Sequence, residues 1–397
     1  MSEQTLTRTT LPQPCYTDDA VFADDLEHVF ARNWTFAGHT CELGPGDWFR
    51  RTLGRDQVIV VRDHDGTLRA HHDVCAHRGS RLTTAECGTA KAFVCPYHQW
   101  VYGLDGRLRS ARLMGENFPT SSVTLAPVAV REVAGLVFLR LADDGAPEGS
   151  MDAFTAAAER RLVPHGLADA RIVARDRYRV AANWKTLVEN NRECYHCRGS
   201  HPEFSLSNFE QGTHGDVRAN PRYDEALTLA RQRWAARGLD PDDVSFPGDA
   251  WFRLARLPLK DGFATETLDG RLVAPTMGTL PDAEVGSLRI VGLPNLWAHA
   301  NADYAMTTRL TPVDAGTTDV EVCFLVRADA RLDDADVDAL TAVWRATSEQ
   351  DWELCEANYA GIASRGYRPG PLSPVVEASV AAFLDWYAAQ LPVARAS

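Results

Sequence analysis

Over residues 16–37, Val21, Phe22, Leu26, Val29 and Phe30 recur three or four apart, a spacing that predicts an amphipathic helix at the start of the chain. From about residue 38 to 142 the pattern shortens to runs such as QVIVV, KAFVC, WVYGL and GLVFLRL, broken by DHDG and LDG turns. Short runs between turn residues predict strands, and so an all-β module. The acidic segment ADDGAPEGSMDA then predicts a boundary near residue 150. Past it, helical spacing at about 151–163, a strand pattern in RIVARDRYRVAA and a helix over NWKTLVENNRECYHC are expected. Strand patterns return at 286–327, followed by long helices at about 333–360 and 376–390. The expected organisation is α+β: a helical lead-in over 1–37 packed on the last domain, an all-β module over 38–150, and an α+β domain over 151–397.

Composition narrows the class. A chain of 397 residues exceeds a single ordinary core, and 45% apolar residues with ten tryptophans leave plenty to bury. No apolar run approaches the ~20 residues of a membrane span, and the first residues lack a basic-then-apolar leader, so no membrane insertion and a cytoplasmic location are expected. A net charge of −13 argues against nucleic acid as a partner, because no dense basic patch offsets it. With nine cysteines and no export signal, metal ligation is the expected use of the thiols rather than a disulfide framework.

Spacing then selects the metal. Cys75 and His77 form C-x-H, and Cys95 and His98 form C-x-x-H; Cys87 between them is spare. Zinc could accept two thiolates and two imidazoles, but zinc knuckles usually pair two cysteines in one loop. A Rieske [2Fe–2S] centre has two cysteines on one iron and two histidines on the other, which suits two mixed loops. The Asp105-Gly106 turn beyond them reads as a hairpin.

A second cluster lies in ENNRECYHCRGSHPEF. His196 and His201 are five apart, so on one helix they would diverge by ~140°. A helix ending between them, with Gly199 left-handed and Pro202 holding His201 extended, would let both face one ion. The third ligand of a 2-His-1-carboxylate iron(II) site should sit where an apolar residue is expected. Asp351 does: it follows Leu340, Trp344 and Thr347 and precedes Leu354 and Cys355 on the inward stripe, while Glu349, Glu353 and Glu356 fall off it. Glu193, three residues before His196, is placed to hydrogen-bond the imidazole nitrogen that faces away from the metal.

Together, FAGHTCELGPGDW, VCAHRGSRL, CPYHQWVYGLDGRL, NWKTLVENNRECYHC, HPEF and EQDWELCE make the chain resemble the terminal oxygenase subunits of Rieske non-haem iron oxygenases. The resemblance implies a β-rich Rieske domain beside a helix-grip (START-like) catalytic domain with an antiparallel sheet. Carried over by position, Cys75, His77, Cys95 and His98 bind the cluster and His196, His201 and Asp351 bind mononuclear iron. It also implies a homotrimer in which Glu193 bridges His98 of one chain to His196 of the next. Dioxygen is the co-substrate, and a separate flavin and iron–sulfur reductase brings electrons from NAD(P)H.

Glutamate in ECYHC, with GYRPGPLSP and FLDWY, resembles the branch that demethylates glycine betaine and proline betaine or oxidises carnitine; ring dihydroxylation is less expected. Trp251, Trp297 and His299 are candidates for a cation-binding wall, since a quaternary ammonium binds aromatic faces. An arene, aryl ether or secondary metabolite as substrate is the alternative within the family. A Rieske electron carrier or a zinc-stapled binding protein is the alternative outside it.

Overall fold

The computed structural model describes residues 8–115, 117–142, 148–212, 215–245 and 251–391. Part of the expected boundary segment, residues 143–147, lies outside the described residues.

The larger body is a seven-stranded antiparallel sheet wrapped against one long helix. In sheet order its strands are Ala170–Val180, Thr317–Arg327, Tyr304–Asp314, Leu296–Ala300, Ser287–Gly292, Phe252–Leu257 and Val244–Ser245. The long helix, Asp334–Ile362, opens with a capping box in which Asp333 and Asp336 bond each other's backbone N–H. Trp344 and Trp352 lie along it: Trp344 donates its indole N–H to Tyr304 Oη at 2.8 Å, and the Trp352 ring stands 6.1 Å from Tyr178. The first and third strands of the sheet therefore both pack on this helix.

The β-rich module holds a four-stranded sheet built on Asp47–Leu53 and Asp56–Arg62, and a small three-stranded sheet over residues 93–110. Gly106 turns the small sheet at φ +80°, and a Cβ there would meet the His71 ring at 2.6 Å, so the Asp105-Gly106 hairpin needs glycine. A third sheet, Thr35–His39 with Leu136–Arg140 and Ala129–Val133, joins the two bodies. All five residues of Leu136–Arg140 are buried, because alternate side chains enter different cores. Leu136 and Phe138 pack into the catalytic core, while Val137 and Leu139 pack into the β module.

The lead-in departs from a plain amphipathic helix. A helix over Asp19–Asp24 widens into a π-helical turn over Asp25–Phe30, and Asp25 is fully buried with Val29 and Phe30. Its carboxylate accepts from the Trp184 indole at 3.0 Å, from Tyr387 Oη at 2.7 Å and from Lys185, itself fully buried. This ion pair ties the first helix to Trp184–Asn191, the helix that leads into the site described next. Lys185→Met leaves the carboxylate without its cation and is expected to cost about 3–5 kcal/mol. A lowered denaturant midpoint at unchanged slope would show it; an unshifted midpoint would mean the pair does not hold the lead-in.

The helix Pro221–Ala236 and the strand Phe252–Leu257 had no counterpart in the sequence patterning.

Candidate metal centres and active site

The first cluster is carried by two loops set back to back. Cys75 closes its loop by backbone bonds to Ser80 and Gly79, and Cys95 closes the other by bonds to Trp100 and Gln99. The thiols point inward, 2% and 1% exposed, while His77 and His98 stay half-buried with ring centroids 4.6 Å apart. Burial alone would raise the Cys95 pKa, but the backbone N–H groups of Tyr97 and His98 lower it and so favour the thiolate. Tyr102 Oη, which accepts from the Ala76 N–H at 3.1 Å, stands 3.2 Å from Cys75 Sγ, placed to donate to a thiolate. His77 stacks on Trp100 at 4.5 Å, and its Nδ1 is buried without a hydrogen-bond partner. Sulfur on the inner side and imidazole on the outer side fit a two-iron Rieske cluster; a single zinc would need all four donors around one point. Cys87 lies in the exposed strand Cys87–Thr89, away from this set.

The second centre is assembled by three helices. Asn183 caps the first by accepting from the Lys185 N–H at 3.0 Å, and that helix ends at Asn191. Its end corrects the expectation that His196 comes from its last turn. His196 instead precedes the one-turn helix Cys197–Ser200, inside which Gly199 has no positive φ, and His201 precedes Pro202–Ser207. His201, expected to be extended before Pro202, instead has φ −122°, ψ 73°, and the chain turns there. The break lets both rings face Asp351 in the middle of the long helix. Asp351 Oδ1 stands 3.3 Å from His196 Nε2 and 3.0 Å from His201 Nε2.

The other ring nitrogens are fixed. His196 Nδ1 lies 2.6 Å from Glu193 Oε1, and His201 Nδ1 lies 2.8 Å from Gln350 Oε1, whose amide donates to Glu203. Glu193 reaches His196 across a turn rather than along a helical face, its second oxygen held by the Tyr195 N–H. Protons on Nδ1 leave both Nε2 lone pairs aimed at a carboxylate oxygen, an arrangement that calls for a cation between them. Burial alone would lower the His196 pKa, but Asp351 and Glu193 raise it to about 9, so a metal at Nε2 has to displace a proton. Two imidazoles and one carboxylate fit iron(II) with open positions, and the Asn190 amide stands 3.5 Å from His196 Nε2.

The inward stripe of the long helix needs one correction. Leu354 is 38% exposed, and the buried line runs Leu340, Trp344, Thr347, Ser348, Trp352 and Cys355. Glu349 and Glu353 are exposed, and Glu356 accepts from the Ala181 N–H. Against the general expectation that the thiols serve metal and do not pair, Cys194 and Cys197 are bonded as a disulfide, which removes Cys197 as a thiolate donor beside His196 and His201.

A cavity of about 110 Å³ opens onto the triad and is walled by Phe204, Trp297, Trp344 and Trp352, with His299 beside them. Trp344 stands 5.8 Å from Phe204 and 4.5 Å from His299; Trp297 stands 6.4 Å from Trp352. Behind His299 the fully buried Glu266 accepts from its Nδ1 at 3.1 Å and from the Asn301 amide at 2.9 Å. Trp251 does not line this cavity: it is buried against Phe154 and Phe252. Of the expected wall, Trp297 and His299 line this cavity. Phe204, Trp344 and Trp352 are additions, and Trp344 was signalled by its place two helical turns before Asp351.

Comparison with known proteins gives the same frame. The family model for the ring hydroxylating alpha subunit (catalytic domain) matches residues 167–392, and that for the Rieske [2Fe-2S] domain matches residues 33–127. A glycine betaine monooxygenase oxygenase subunit of Chromohalobacter salexigens is 41% identical over 382 residues, spanning 95% of this chain and 85% of its own. A carnitine monooxygenase oxygenase subunit of Escherichia coli is 36% identical over 201 residues, spanning 50% of this chain and 54% of its own. A solved quaternary ammonium Rieske monooxygenase superposes with a TM-score of 0.73 at 25% identity, covering 97% of this chain and 96% of that one. Among the described residues no helix is long and apolar enough to cross a membrane.

Proposed function

This chain belongs to the ring hydroxylating alpha-subunit family of Rieske oxygenases, and on that premise we propose that it is the terminal oxygenase of an N-demethylating system. Its substrate is a small quaternary ammonium compound. Members of the family carry a Rieske [2Fe–2S] cluster and a non-haem iron. In the proposal Cys75 and Cys95 hold one iron of the cluster, His77 and His98 the other, and His196, His201 and Asp351 hold the mononuclear iron.

The bound metals supply electron delivery and dioxygen activation. The protein supplies position and polarity. Phe204, Trp297, Trp344 and Trp352 line the cavity in which a quaternary ammonium, which has no N–H to bond and is drawn to aromatic quadrupoles, would sit. That contact places an N-methyl group beside the triad. One oxygen atom enters the methyl C–H bond, and the other leaves as water with an electron pair and protons. The resulting hemiaminal breaks its C–N bond and releases formaldehyde. The electron pair comes from NAD(P)H through a separate flavin and iron–sulfur reductase.

Glu193 bridges the cluster of one copy to the iron of the next in a homotrimer. Two exposed aromatic surfaces support this reading: Tyr97 beside His98 is 56% exposed, and Tyr195 between Glu193 and His196 is 64% exposed. Either can pack against a second chain.

The observation that carries the function is the small aromatic cavity joined to the triad. At about 110 Å³ it is well below the ~300–1,000 Å³ of pockets for drug-sized ligands, which disfavours polycyclic arenes. Incubated with reductase, NAD(P)H and glycine betaine, the protein is expected to release formaldehyde and consume dioxygen in equal amounts. Turnover of arenes or aryl ethers alone would overturn the substrate class while leaving the oxygenase in place.

A further inference from the structure

The cavity has a charged wall that N-methyl oxidation does not use. Arg289 and His299 are direct cross-strand partners, and Arg253 faces Val291, itself opposite Trp297, so both arginines share the cavity face of the sheet. Arg253 is paired with Asp243 at 2.8 Å. Arg289 is not so paired. Its Nη2 donates to the neutral Asn208 Oδ1 at 2.6 Å, its guanidinium lies 5.6 Å from the Phe204 ring, and its Nε is buried without an acceptor. Among the described residues no carboxylate forms an ion pair with it, and both oxygens of the nearby Glu266 are engaged by His299, one of them also by Asn301.

A guanidinium drawn out of water onto an aromatic wall is costly unless an anion meets it. Across the cavity stand the carboxylates of Asp351 and Glu193. The strand wall itself carries a cation that no acid among the described residues pairs with.

We propose that Arg289 is the anchor for a carboxylate on the substrate, so that the site selects a zwitterion whose ammonium lies in the aromatic cage and whose anionic end lies on the strand wall. This deepens the N-demethylase reading and rests on it. A planar guanidinium with a free Nε–H can meet a carboxylate with two parallel hydrogen bonds. It also sets direction, because the ammonium is repelled from Arg289 and takes the other side of the aromatic cage. A simple cation such as choline fills the cage without using the anchor.

The test compares glycine betaine with choline as formaldehyde sources in the wild-type holoenzyme and in Arg289→Met. The anchor predicts a wild-type preference in kcat/KM for betaine, falling by about 100-fold in the variant through KM, with Arg289→Lys between. A second measurement needs no variant: tert-butylacetate, the carbon isostere of glycine betaine, should compete with substrate at least ~10-fold better than tert-butylacetamide. An unchanged preference in Arg289→Met, or equal inhibition by acid and amide, overturns the anchor. Equal wild-type turnover of choline and betaine also overturns it, while leaving N-demethylation standing. Formaldehyde from neither compound sinks both readings on the wild type alone.

Discussion

Asp351→Ala is expected to lower iron content to that of the cluster alone and product formation by ~10³-fold or more, about 4 kcal/mol of barrier. The reason is geometric. Asp351 Oδ1 lies 3.3 Å from His196 Nε2 and 3.0 Å from His201 Nε2, and without it two neutral imidazoles remain. The visible spectrum of the Rieske cluster should be unaltered, because Cys75, His77, Cys95 and His98 lie in the other body. Glu353→Ala, two residues on and exposed, is the control and should keep its iron. Undiminished iron in Asp351→Ala would remove the basis for a mononuclear site here.

Glu193→Gln is the second large effect. The amide keeps an oxygen for His196 Nδ1, now 2.6 Å from Glu193 Oε1, but removes the charge. Partners of this kind typically change metal affinity or activity by ~10–100-fold. Two roles can be told apart. If Glu193 only orients His196, iron loading falls and the rate per loaded iron is preserved. If it also bridges the cluster of a neighbouring copy, as proposed, substrate-triggered cluster oxidation per loaded iron slows by ~10-fold or more as well.

Local features were the legible ones. The C-x-H and C-x-x-H spacings put each thiol and imidazole on one short loop, which no distant contact has to arrange. Asp351 showed itself as a carboxylate in an apolar stripe, and Trp344 lay on the same stripe two turns earlier. What escaped depends on long-range partners. Asp25 gave no signal in the sequence, because its cation, Lys185, is 160 residues away in the chain. Arg289 carried no local signal, since its meaning comes from its register opposite His299 and from a cavity closed by another helix. The helix expected to run to Cys197 ends six residues earlier, at Asn191, yet Glu193 and His196 are still paired, because a turn can hold residues three apart as a helix does. Trp251 and Trp297 looked alike as candidates; only the sheet decided which of them faces the cavity.

The central claim is that reduced cluster, iron site and N-methyl substrate act together in this chain. A single turnover tests it most directly: chemically reduced holoenzyme mixed with dioxygen, with and without glycine betaine, following cluster oxidation and formaldehyde in the same sample. The account predicts that glycine betaine accelerates cluster oxidation and that formaldehyde appears with it. Cluster oxidation indifferent to every N-methyl compound, with no formaldehyde, would contradict it.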